Sequence, residues 1–128
     1  PAVLAYGMGI VPFSPLAGGL LTGKYASDQP APSGTRGARS PRFERLLEDV
    51  VLGVVGELQA FAGERGHSVG DLALAWLLVQ PGVCSVITGV TSAAQVDANV
   101  SAIDWRLTID DLAAIDAIVA RTPEGLDT

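Results

Sequence analysis

The stretch Phe13-Ser14-Pro15-Leu16-Ala17-Gly18-Gly19-Leu20-Leu21-Thr22-Gly23-Lys24-Tyr25 follows directly on a short apolar run, Gly9-Ile10-Val11-Pro12-Phe13. Together they read as a buried strand that leaves into a glycine-rich turn. From Ser14 to Gly19 the chain must turn, and a backbone free of side chains is favoured there. Glycines and a hydroxyl at the C-terminal end of a strand also present N–H groups to a phosphate. Spacing alone favours the simpler reading, an ordinary strand-to-helix turn. Gly18-x-x-x-x-Gly23-Lys24 matches most of a P-loop, but Tyr25 stands where a Ser or Thr hydroxyl should meet magnesium. The residues after Lys24, Ala26-Ser27-Asp28-Gln29-Pro30, do not open a helix, so nucleotide hydrolysis is set aside.

Residues 2 to 8, before this strand, read as the end of a helix. Residues 26 to 40, rich in Pro, Gly, Ser and Ala, read as a long exposed loop of the kind that often forms lids or binding segments. Four helices are predicted near 41–65, 69–80, 92–103 and 109–120. Ser40-Pro41 offers an N-cap hydroxyl with Pro at the first helical position, and Leu47, Val50, Val51, Val54, Leu58 and Phe61 repeat at helical spacing up to the stop at Gly66. Ser68 with Asp71, Ser92 with Gln95, and Thr108 with Asp111 each have capping-box spacing. Between the second and third helices, Cys84-Ser85-Val86-Ile87-Thr88-Gly89 reads as a second strand, giving two strands near 9–13 and 84–88. Strands alternating with helices argue for right-handed βα units on a parallel sheet. Two strands are too few for one, because parallel strands need both faces covered and neighbours at their edges. The chain therefore reads as two units of a larger α/β domain, and its start at Pro1 as a chain entered midway.

The composition implies either a core large relative to the surface or apolar surface that belongs against further parts of the domain. Of 128 residues 48% are hydrophobic and only 17% charged, with a mean hydropathy of +0.38, against about a quarter charged in ordinary soluble domains. No apolar run approaches the ~20 residues of a membrane span, and no signal peptide is evident. The net charge of −6 argues against nucleic acid as a partner, even with Arg36, Arg39, Arg42 and Arg45 close together. The lone Cys84 excludes an internal disulfide framework and fits a reducing cytoplasm. One His and one Cys, far apart, leave no metal site.

The second strand ends much as the first does. Gly89 closes it and a hydroxyl-capped helix opens at Ser92, which makes a natural anion site. Gln95 and Asn99 are four apart and share one helix face. The plainer reading is that Gln95 only completes a cap and Asn99 is solvated. His67 reads as a surface or capping histidine, Tyr6 and Tyr25 as packing residues, and Cys84 as a small buried hydrophobe. Asp110-Asp111 reads as helix-start charge.

Taken together, several segments resemble the aldo-keto reductase family. Phe13 to Tyr25 looks like the segment after the seventh barrel strand of that family. Leu72-Ala73-Leu74-Ala75-Trp76-Leu77-Leu78, Val86-Ile87-Thr88-Gly89, Gln95 and Asn99 resemble its eighth-strand region in the same order, and Ala102-Ile103-Asp104-Trp105 and the last helix also fit. The resemblance runs from Pro1 to about Val119. It implies the C-terminal segment of a TIM-type (β/α)8 barrel, with residues 1–128 as a partial domain lacking the first six strands. It also implies NADP(H)-dependent reduction of aldehydes or ketones without a metal. In such barrels phosphate sites are often built from the loops after strands seven and eight, the two loops singled out above.

By this resemblance Ser14, Leu16 and Gly18 would hold the pyrophosphate and nearby ribose. Gly89, Thr91 and Ser92 would border the adenosine 2′-phosphate, with Gln95 nearby and Asn99 meeting the adenine. Arg36 and Arg39 are further candidates for phosphate contact. Two departures bear on the cofactor. Thr91 stands where many relatives have Arg or Lys, which leaves NAD(H) open beside NADP(H). Ala98 replaces a Glu that many relatives carry before the asparagine. The family's catalytic Asp, Tyr, Lys and His come from earlier strands, so no catalytic residue is expected in this chain and activity alone is not expected. The alternatives are a non-catalytic nicotinamide-nucleotide-binding module and a truncated product that self-associates through exposed barrel edges.

Overall fold

The computed structural model describes residues 2–26, 29–35, 38–39 and 49–122. A short helix α1 (Ala2–Ala5) precedes an extended segment over 8–13. A 3-10 segment, Ala17–Thr22, follows, and the described residues of the predicted loop are non-helical and mostly exposed. Helices α2 (Asp49–Gly63) and α3 (Val69–Leu78) come next. A second extended segment over 83–88 then leads to α4 (Ala93–Ser101), which tightens into a 3-10 turn at Ala102–Asp104 before α5 (Ile109–Val119). Ser40, Pro41 and Leu47, invoked for the start of the first long helix, lie outside the described residues, as does Arg36.

The helix boundaries follow from local chemistry. At α3 the Ser68 hydroxyl accepts the Asp71 N–H at 3.1 Å and the Asp71 carboxylate accepts the Ser68 N–H at 2.9 Å, so the box is complete. Thr108 and Asp111 do the same for α5. Gly66 ends α2 in the left-handed region (φ 76°), and the His67 N–H returns to the Ala62 carbonyl at 3.0 Å.

Two clusters form the core. Val54, Leu58, Phe61, Ala62, Val69, Leu72 and Ile115 join α2, α3 and α5. Leu20, Tyr25, Val51, Leu52 and Val55 pack the 3-10 segment onto α2. Helix α3 lies at the centre, against α2, α4 and both 3-10 segments. Two ion pairs join α2 to the ends of α5: Arg65 with Asp111 at 3.0 Å, and Arg121 with Glu57 at 2.6 Å.

Asp111 gives this arrangement a pH dependence. The Thr108 N–H and then the Thr108 hydroxyl hold its carboxyl below the ordinary carboxylate value; burial opposes them, and Arg65 adds a smaller lowering effect. A carboxyl depressed in the folded state stabilises fully above its unfolded pKa, and that contribution is lost as pH falls through the lower folded value. Asp111→Asn should therefore lower the melting temperature at neutral pH, and the gap to the parent should narrow as the pH is lowered through the folded value of Asp111. An equal gap at neutral and acid pH would refute this role.

The two expected strands are present only as a parallel contact. Among the described residues there is no regular strand. Isolated parallel bridges join Ile10 to Val83 and Phe13 to Ile87. The Ile10 N–H donates to Gly82 O at 2.7 Å, Cys84 N–H to Ile10 O at 3.0 Å, and Ile87 N–H to Pro12 O at 2.9 Å. Two residues separate the bridges on the first segment and three on the second, so the second carries a bulge. Opposite it lies Pro12, which has no N–H to continue the ladder. The sequence reading thus found the segments and their direction but overstated their regularity. The segments also lie close together at Gly9, where an added Cβ would stand 2.7 Å from the Cys84 sulfur.

Two further expectations are corrected. Cys84 is exposed rather than buried, its thiol directed to Ile10 O at 3.4 Å, so its contact is with the backbone of the first segment rather than with a core. Tyr25 is buried as expected, but Tyr6 is 80% exposed and packs no core. His67, read as a surface or capping residue, is partly exposed; its N–H closes the end of α2 and its ring stacks on Trp105 with centroids 4.1 Å apart.

Candidate functional site

Because the two extended segments pair in parallel, the loops that follow Phe13 and Ile87 leave from the same end of the pair. Both glycine-and-hydroxyl loops of the sequence are thereby brought to one end of the fold.

The first loop has strained backbone. Ser14 (φ 54°) and Ala17 (φ 47°) are in the left-handed region without being glycine, at a cost of roughly 1–2 kcal/mol each. Leu16 (φ −98°, ψ 21°) is followed by left-handed Ala17, Gly18 (φ 67°) and Gly19 (φ 108°). Such alternation gathers successive N–H groups into an anion-binding concavity. Part of that capacity is used locally, since Ala17 N–H donates to Ser14 O at 3.0 Å and Gly19 N–H to Leu16 O at 2.8 Å. The loop adds a cation that the sequence reading weighed only as a P-loop lysine. Lys24 folds back so that its Nζ is 2.9 Å from where a Cβ on Gly19 would be and 5.3 Å from the centre of the Tyr25 ring. The only cue in the sequence was its place five residues after Gly19.

The second loop is held by α4. Ser92 is the N-cap, its hydroxyl accepting the Gln95 N–H at 3.3 Å. The expected capping box does not close on Ser92: the Gln95 Oε1 accepts instead the Thr91 N–H at 2.7 Å and the Thr91 hydroxyl at 3.2 Å. Asn99 is half-buried, and its Nδ2 donates to Thr88 Oγ1 at 3.2 Å, so it is not merely solvated. Gly89, Thr91, Ser92 and Gln95 are exposed, and an added Cβ at Gly89 would meet nothing within 4 Å. Arg39 is exposed.

The described residues hold no grouping of His, Cys, Asp or Glu suited to a metal ion. An apolar groove of about 270 Å³ adjoins the first loop at Pro15 and is lined also by Leu21, Leu58, Trp76 and neighbours on α3 and α5. None of the eight sequence-derived site residues lines it, and it offers no polar group for catalysis. The two loops present backbone N–H groups, hydroxyls and, near Gly19, the Lys24 ammonium.

The description of the aldo/keto reductase family matches residues 1–120. This chain belongs to the aldo/keto reductase family. Similar members include a probable voltage-gated potassium channel subunit beta from Oryza sativa subsp. japonica, 39% identical over 133 residues, all of this chain and 40% of that protein. An L-glyceraldehyde 3-phosphate reductase of Escherichia coli K12 is 38% identical over 118 residues, 89% of this chain and 34% of that protein. Among solved structures, the glycerol dehydrogenase of Gluconobacter oxydans superposes with a TM-score of 0.79 at 27% identity, covering all of this chain and 40% of that one. The chain thus spans about two fifths of the length of such aldo/keto reductases. Members of the family generally use NAD(P)H and act on small carbonyl compounds. No helix among the described residues is long and apolar enough to cross a membrane.

Proposed function

We propose that this chain is the cofactor-binding part of an NADP(H)-dependent aldo-keto reductase that reduces aldehydes or ketones, and that it is inactive alone. The observation that carries this reading is the parallel pairing of 8–13 with 83–88, from which both candidate phosphate loops leave at one end. Ser14, Leu16 and Gly18 hold the pyrophosphate side, with Lys24 over the loop. Gly89, Thr91 and Ser92 border the adenosine side, with Gln95 beside them and Asn99 near the adenine. The residues present fit such a group: a left-handed turn, a capped helix start and one cation suit phosphates. When bound, the nicotinamide supplies the hydride, and this chain binds and orients it. The first six strands, carrying the proton donor and the substrate loops, complete the enzyme in a cytoplasmic setting, without nucleic acid. NAD(H) is a second cofactor within this reading.

A non-catalytic nucleotide-binding module is the second reading, favoured by the likeness to a probable potassium channel subunit beta. Turnover of an aldehyde by a complete barrel carrying this chain separates the two.

The test is calorimetric titration with NADPH and NADH, of the 128-residue chain and of a complete barrel carrying it. Saturable binding by the complete barrel is expected; no binding of either nucleotide would end the proposal. Lys24→Met in that barrel should weaken both nucleotides about tenfold, the loss of one charge-assisted phosphate contact. The parent's binding should also weaken with salt more steeply than the variant's. Equal salt dependence would remove Lys24 from the site.

A further inference from the structure

We draw no further inference here: the strongest candidate, the apolar groove between α2, α3 and α5 that adjoins the first loop at Pro15, carries nothing because nothing in the structure shows what covers it.

Discussion

Gly89→Asp, in a complete barrel carrying this chain, should weaken NADPH binding by roughly 30-fold, about 2 kcal/mol, while the fold stays intact. Gly89 lies outside the left-handed region, and an added Cβ meets nothing within 4 Å, so the backbone and the packing accept a side chain. A carboxylate there also sits just before the start of α4, where negative charge is favourable to the helix by up to about 1 kcal/mol. The free protein should therefore melt at or slightly above the parent temperature. The same charge opposes a phosphate at the loop, and NADPH, with one phosphate more than NADH, should suffer more. Gly89→Asn, of similar size and uncharged, should recover most of the binding. If the aspartate variant binds like its parent, the second loop does not face the cofactor. If it melts well below the parent, the effect is structural and the comparison with Asn decides nothing for the site.

What the sequence made legible was local. The caps at Ser68 and Thr108 and the glycine stop at Gly66 depend on residues within five positions of one another, and the structure forms all of them. The two extended segments were visible as apolar runs, but their regularity depends on a non-local meeting. Pro12 faces the segment that begins at Val83, and the bulge arises only where the missing N–H and the extra residue coincide. No window of sequence contains both. The candidate site divides the same way. Ser92 as N-cap follows from spacing, whereas the choice of Gln95 for Thr91 over Ser92 is a matter of one side-chain rotamer. Lys24 was hidden for a related reason, since its place over Gly19 exists only once the intervening residues have turned.

The 128-residue chain by itself should associate with concentration, helices retained, because its helical and extended parts are unequally covered. The helices supply their own interior: Phe61, Leu72, Ile115 and their neighbours are shielded from solvent by one another. Along α1 and the extended segments the opposite holds, with Tyr6 80% and Phe13 79% exposed and Leu4, Met8, Val11 and Ile87 also open. Exposed apolar side chains in such number beside unpaired backbone edges favour pairing with another surface. Burial of one such aromatic contributes about 2–3 kcal/mol, so several of these side chains must be covered together to reach the roughly 8 kcal/mol net of a micromolar complex. Sedimentation velocity from low to high micromolar should show growing mass while far-ultraviolet circular dichroism keeps its helical form. Phe13→Lys should shift the association to higher concentration, since it places a charge among these side chains without touching the helical core. A sharp, reversible unfolding transition of a monomer across the whole concentration range would refute this. It would mean that the α2–α3–α5 core is sufficient to keep the extended segments in solution as they stand.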